Sequence, residues 1–242
     1  MNTKFLKATL GLTIIMLLAS ACGMMPIFGS RNLISETRSV SGYNGVDLSG
    51  GGTLEIIQDG TESVTIETDD NLMKYVTSEV RGGTLYLGLD SNMQSIAPST
   101  LNIILHIKDL GSINTSGSWA VNLAAINAQD LAIEMSGSGK VQMGNLTLTS
   151  LSVRSSGSSN LTLAGKTGSQ NITISGSGKY VAGDLSSQTA SVRISGSGNV
   201  TVWATDTLTA HVSGSGDVSY YGNPQVSFEQ SGSGNIHSLG NK

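Results

Sequence analysis

From Ser116 onward a Ser-Gly-Ser unit returns at a nearly constant spacing, and no other feature of the chain restricts its fold as much. Its first glycine falls at Gly117, Gly137, Gly157, Gly176, Gly196, Gly214 and Gly232. The interval between successive copies is nearly the same throughout and shortens slightly toward the end. A Gly/Ser run usually behaves as a flexible linker. A flexible linker, however, has no reason to recur at a fixed period. Periods near twenty are too short for helix-pair repeats and suit one coil of a stacked β structure. The expected fold is all-β, a right-handed parallel β-solenoid (β-helix) with about 18–20 residues per coil.

The flanks of the unit agree. Before it come Ile133 and Met135, Ile172 and Ile174, Val192 and Ile194, Ala210 and Val212. After it come Val141 and Met143, Leu161 and Leu163, Val200 and Val202, Val218 and Tyr220. Both flanks alternate with period two, as strands with one buried face do. Glu134, Arg154, Thr173, Arg193, His211 and Glu229 fill the outward positions between them. The repeat glycines then have two possible roles. In extended chain they would face inward and let backbones approach closely. At a corner they would supply positive φ. Either role is structural.

Equivalent residues of stacked coils form columns. One holds Ser136, Ser156, Ser175, Ser195, Ser213 and Ser231. A second, four places after the first serine, holds Lys140, Asn160, Lys179, Asn199, Asp217 and Asn235. This flat polar strip is the candidate binding face, able to hold a glycan or a protein through many weak contacts. Trp119, Trp203, Tyr220 and Tyr221 are candidate sugar-stacking platforms or core residues. Trp119 and Ala120 stand where glycine and a polar residue are expected from the repeat, as suits a transitional coil.

The segment before Gly111 lacks the repeat but still reads as strands separated by turn signals at Asp59-Gly60 and Gly82-Gly83. The stretch 70–80 reads as a short helix or a bent strand. The acidic group Glu67, Asp69 and Asp70 reads as a solvated turn, with a calcium loop as the sharper alternative that lacks the ligand spacing. With no linker visible, one domain is expected over 33–242.

The segment 1–21 has the form of a signal peptide: Lys4 and Lys7, then an apolar run too short for a typical membrane span. The run ends in LLASAC at Cys22, the only cysteine. Small residues before a cysteine mark Cys22 as the expected site of cleavage and lipidation, with 22–32 as a lipidated tether. Plain secretion is the alternative. Removing the two lysines leaves 11 Lys+Arg against 17 Asp+Glu, so the formal charge moves from −4 to about −6. No basic cluster is present, which argues against nucleic acid as a partner and against charge-driven membrane binding.

Catalytic constellations are not visible. His106, His211 and His237 share no metal-ligand spacing, and SGSG is not a nucleophile elbow. Glu134, Asp217 and Glu229 are too scattered to suggest a carboxylate pair for glycoside chemistry. No metal, cofactor or catalytic residue is expected.

The stretch from Arg38 to Leu89 resembles the opening of the bacterial auto-transporter adhesin head domain, the GIN domain. The matching positions are Tyr43, Val46, Gln58, Asp59, Val64, Ile66, Glu67, Asp70, Asn71, Leu72, Gly83 and Leu85. GSIN at Gly111–Asn114 and the later GSGNV and GSGNI units resemble the family's repeats, extending the likeness to the C-terminus. The resemblance implies an exported β-solenoid, often a lipoprotein, with adhesion as the family's label and no catalytic residues. The expected location is the cell envelope, as an outer-membrane lipoprotein, with secreted or periplasmic protein as the alternative. Three functions follow as expectations. First comes envelope adhesion to a glycan or surface protein, with the lipid as the only membrane contact. Second is a structural protein that self-associates through its last coil, since open strand edges invite pairing. Third is a glycan-active enzyme.

Overall fold

The computed structural model describes residues 26–90 and 96–242. The segment expected as a signal peptide and Cys22 lie outside the described residues. The N-terminal part contains β1 (Ile27–Phe28), β2 (Leu33–Arg38), β3 (Gly45–Gln58), β4 (Ser63–Asp69), β5 (Val76–Arg81), β6 (Thr84–Leu89), β7 (Ile96–Ala97) and β8 (Leu101–Ile107). The repeat contains β9 (Ser112–Leu123), β10 (Ile126–Asn127), β11 (Asp130–Gly137), β12 (Lys140–Gly157), β13 (Asn160–Gly176), β14 (Lys179–Gly196) and β15 (Asn199–Gly214). It closes with β16 (Val218–Tyr221), β17 (Gln225–Gly232) and β18 (Ile236–Ser238). The one helical turn among the described residues is a 3-10 turn at Met73–Tyr75, followed directly by β5; the 70–80 stretch is thus turn and strand.

Each long strand wraps most of one coil and pairs in parallel with its equivalents above and below. The stack is the predicted β-solenoid. Inward positions form continuous apolar columns, such as Ile113, Ile133, Val153, Ile172, Val192 and Ala210, all buried. The shorter coils do not disturb the repeat corner. Their missing positions are absorbed by register shifts elsewhere in the coil, between Met143 and Leu146 and between Ala182 and Ser186.

The repeat unit is the corner itself. Its first glycine has φ between +104° and +145° at all seven positions, a region unfavourable to L side chains. The next serine then donates its N–H to the glycine carbonyl one coil back, as Ser177 does to Gly157 at 3.0 Å. The second glycine faces inward and is buried, as at Gly139, Gly178 and Gly198. Both expected roles are therefore present, one on each glycine. At Ser159 the second glycine is replaced, and the inward residue four places earlier is Ser155, where the coils on either side carry Met135 and Ile174. Their buried hydroxyls bond each other at 2.9 Å, so both polar groups are satisfied. Tyr180, fully buried, is satisfied in the same manner: its hydroxyl donates to Gln170 at 2.7 Å, and Gln170 donates to Ser187 at 2.9 Å.

The N-terminal part departs from a simple spiral. Ser49, Gly50, Gly51 and Gly52 in β3 stand in the place of the repeat unit, with Gly50 in register with Gly117 and at φ +90°. The solenoid therefore begins one coil before the first recognisable unit. β3 lies between β8 and β9, so the short link after β8 carries the chain past it. Beyond β8 the pairing turns antiparallel: β4 runs against β8, and β2 against β4. This antiparallel layer caps one end. The other end finishes at β17 and β18.

The segment 27–32, expected as tether, is held against the cap. β1 pairs with β7. The N–H of Arg31 donates to Asp69 at 2.7 Å, Asn71 donates to the Phe28 carbonyl at 2.9 Å, and Asn32 donates to Asp70 at 2.9 Å. Asp69 is fully buried and also accepts the N–H and hydroxyl of Ser99, each at 2.7 Å. Burial alone would raise its carboxyl pKa, but these bonds hold it below the ordinary value. Asp69 is thus a structural clasp and not part of a solvated turn.

Candidate functional site

Two outward columns flank the corner on its upstream side. The serine column runs Ser49, Ser116, Ser136, Ser156, Ser175, Ser195, Ser213 and Ser231 in unbroken register. Two places earlier in each coil runs a second column: Asp47, Asn114, Glu134, Arg154, Thr173, Arg193, His211 and Glu229. At ~4.8 Å per rung this column spans about 34 Å of the rod. Every rung is polar, and acidic and basic groups are interspersed along it. Glu134 pairs with Arg154 at 3.3 Å and His211 with Glu229 at 3.0 Å. Arg193, exposed between Thr173 and His211, has no ion-pair partner among the described residues. Partial burial pushes the Asp47 carboxyl pKa up at the capped end of the ladder.

Between the two columns the surface is concave. A depression of about 510 Å³ extends from Asp47 past Glu134 and Arg154 to Ser175. A second, of about 400 Å³, continues along Arg193, His211 and Glu229 beside Ser195, Ser213 and Ser231. The two lie on the same pair of columns, one toward the capped end and one toward the open end of the rod. Salt bridges this exposed contribute little to stability, and their solvent-facing groups are accessible to a partner.

The strip expected as the binding face also forms a column, on the far side of the corner. Lys140, Asn160, Lys179 and Asn199 are in register. Its distal half, however, is occupied with bracing the stack. Asn199 Oδ1 accepts the N–H of Asp217 at 3.1 Å, and Asp217 Oδ1 accepts the N–H of Asn235 at 2.9 Å. These side chains replace ladder bonds where the strand is interrupted. The aromatics divide as well. Trp119 is 1% exposed and belongs to the core, so it cannot serve as a sugar platform. Trp203 and Tyr221 lie on one corner, where the ammonium of Lys242 stands 5.7 and 4.6 Å from their ring centroids and also pairs with Asp184. Tyr220 is partly buried against the core. The histidines are dispersed, with His106 bonding Asp59 at 2.7 Å while His211 pairs with Glu229 on a distant coil.

The upstream ladder is easily missed in sequence because its residue types change from rung to rung, whereas Lys/Asn alternation is conspicuous. The usable signal is the strand parity, which marks Glu134, Arg154, Thr173, Arg193, His211 and Glu229 as outward.

A family model described as "Putative auto-transporter adhesin, head GIN domain" matches residues 42–224. No curated protein matches the chain. Among solved structures, one described as a "putative adhesin" from Bacteroides fragilis superposes with a TM-score of 0.80 at 26% identity, covering 88% of this chain and 100% of the other. A "putative lipid binding protein" from Parabacteroides distasonis gives 0.69 at 25% identity, covering 89% of this chain and 100% of that one. A "putative adhesin" from the same species gives 0.67 at 23% identity, with 89% and 100% covered. With a rod of parallel coils, glycine corners in register and a family match over most of its length, the chain belongs to the GIN-domain family.

Proposed function

We propose that the protein is an exported, lipid-anchored, non-catalytic adhesin of the cell envelope, attached through Cys22, and that its binding face is the pair of columns flanking the corner, from Asp47 to Glu229. The carrying observation is the polar ladder running in register beside the serine column. A rigid row of repeated donors and acceptors suits an extended polymer with repeating polar groups, because many weak contacts then act together. A glycan of the envelope or of a host surface has that chemistry. Outer-membrane sorting is the preferred location, with secreted or periplasmic protein as the alternative. The adhesin descriptions of the family and of the Bacteroides fragilis structure support this reading. Screening Cys22→Ser protein on an array of envelope and host polysaccharides tests it. Binding to a defined polymer class is expected; no binding to any polymer contradicts it.

A second reading rests on the open end. β17 pairs with β15 on one side only, and Val226 is 37% exposed there. A second copy could pair along this edge. Sedimentation over a concentration series is expected to show a rise in mass that disappears in Ile236→Asp. A monomer at every concentration removes this reading.

A further inference from the structure

We infer that the capped end of the rod is its membrane-facing end, and that Phe28, Leu33 and Ile34 rest in the lipid headgroup layer. The inference depends on the lipid anchor at Cys22 proposed above. Its own support is the way the N-terminal segment is fastened. From Ile27 onward the chain is not a loose tether. It pairs with β7 and is bonded to Asp69, Asp70 and Asn71 at the outer edge of the cap. The clasp is tight: a Cβ at Gly29 would lie 2.1 Å from an Asp69 carboxylate oxygen, so this position has no room for a side chain.

Only Gly23, Met24 and Met25 separate Cys22 from Pro26. Fully extended, that stretch reaches about 14 Å. The polar layer on each side of a bilayer core is itself about 5–7 Å thick. An acyl chain on Cys22 therefore leaves the cap little freedom to stand away from the surface. The far end of the rod, ten strand steps from β2 to β18, lies about 48 Å away and is not held to the surface by the anchor.

The cap carries the side chains such a position requires. Phe28 is 67% exposed, Leu33 44% and Ile34 39%, all on β1 or at the start of the outermost strand β2. The far end also exposes apolar groups, Leu239 at 45% and Val226 at 37%, so it is the short reach from Cys22 that selects the cap as the end where burial of such groups adds to the hold of the acyl chains. The geometry then places the polar ladder roughly along the membrane normal, with its Glu229 end outermost.

The test uses the full chain, processed in a lipoprotein-producing bacterium and purified in detergent. Intact mass reports whether Cys22 carries lipid. The protein is reconstituted into phosphatidylethanolamine–phosphatidylglycerol vesicles with headgroup-nitroxide lipid. A thiol-linked fluorophore is placed at Ile34→Cys or, in a second variant, at Ser231→Cys. Quenching several-fold stronger at position 34 than at 231 is expected. Equal or reversed quenching on lipidated protein overturns the orientation and leaves the anchor standing. A mass without lipid at Cys22 overturns both.

Discussion

Gly176→Ala is expected to destabilise the rod by about 3–5 kcal/mol, the sum of a strained backbone and a forced contact. Gly176 has φ +145°, and an added Cβ would sit 2.4 Å from the carbonyl oxygen of Gly157 and 3.0 Å from its nitrogen. Neither atom can yield, because both are backbone of the coil beneath. Gly60→Ala is the matched control. Gly60 also has positive φ, at +83°, but nothing lies within 4 Å of its Cβ position. Only the conformational cost remains, about 1–2 kcal/mol. Urea midpoints of the two variants separate the cost of stacking from the cost of φ. If they fall equally, the close approach between coils is not what selects glycine.

Trp119→Ala is expected to cost about 3–5 kcal/mol, as large-to-small changes of buried aromatics do. Trp119 occupies the second-glycine position of its coil and fills the space over Gly52, whose added Cβ would lie 3.0 Å from the indole ring. Its indole N–H is buried without a hydrogen-bond partner, an unfavourable feature that the packing must outweigh. Trp119→Phe removes that orphan donor while keeping much of the aromatic surface. It should therefore fall well short of the alanine loss, by at least about 1 kcal/mol. Equal losses in the two variants would show that the indole N–H does find a partner in solution.

These two positions also mark where sequence reasoning succeeds and where it stops. The column from Gly117 to Gly232 was legible because a corner that needs positive φ admits one residue type, and a fixed coil length repeats it. The inward columns were legible because strand parity is maintained on both sides of the corner. Gly50 was not legible. Its unit reads Ser-Gly-Gly-Gly, and a span of several coil lengths separates it from Gly117, so neither motif nor period marks it. Its equivalence appears only when β3 is seen paired with β9. The antiparallel cap was hidden for a related reason: β2 and β4 have ordinary strand patterns, and pairing direction is not written in alternation. Among the outward residues, position was readable but employment was not. Asn199 and Asp217 look like free surface groups in the sequence, yet they accept backbone N–H bonds from the next coil. Arg154 and Arg193, in a column of mixed chemistry, each line one of the two depressions.

Recognition by the upstream ladder, and not by the Lys/Asn column across the corner, is tested most directly by a comparison of affinities. A polymer identified on the array should be titrated against Arg154→Ala/Arg193→Ala and against Lys140→Ala/Lys179→Ala, with urea midpoints measured on both. Each pair removes two exposed cations, so the change in net charge is the same. The expected result is at least about a tenfold loss of affinity in the arginine pair, equivalent to about 1.4 kcal/mol, with little change in the lysine pair and unchanged midpoints in both. Loss confined to the lysine pair would contradict the assignment and return the binding face to the other column.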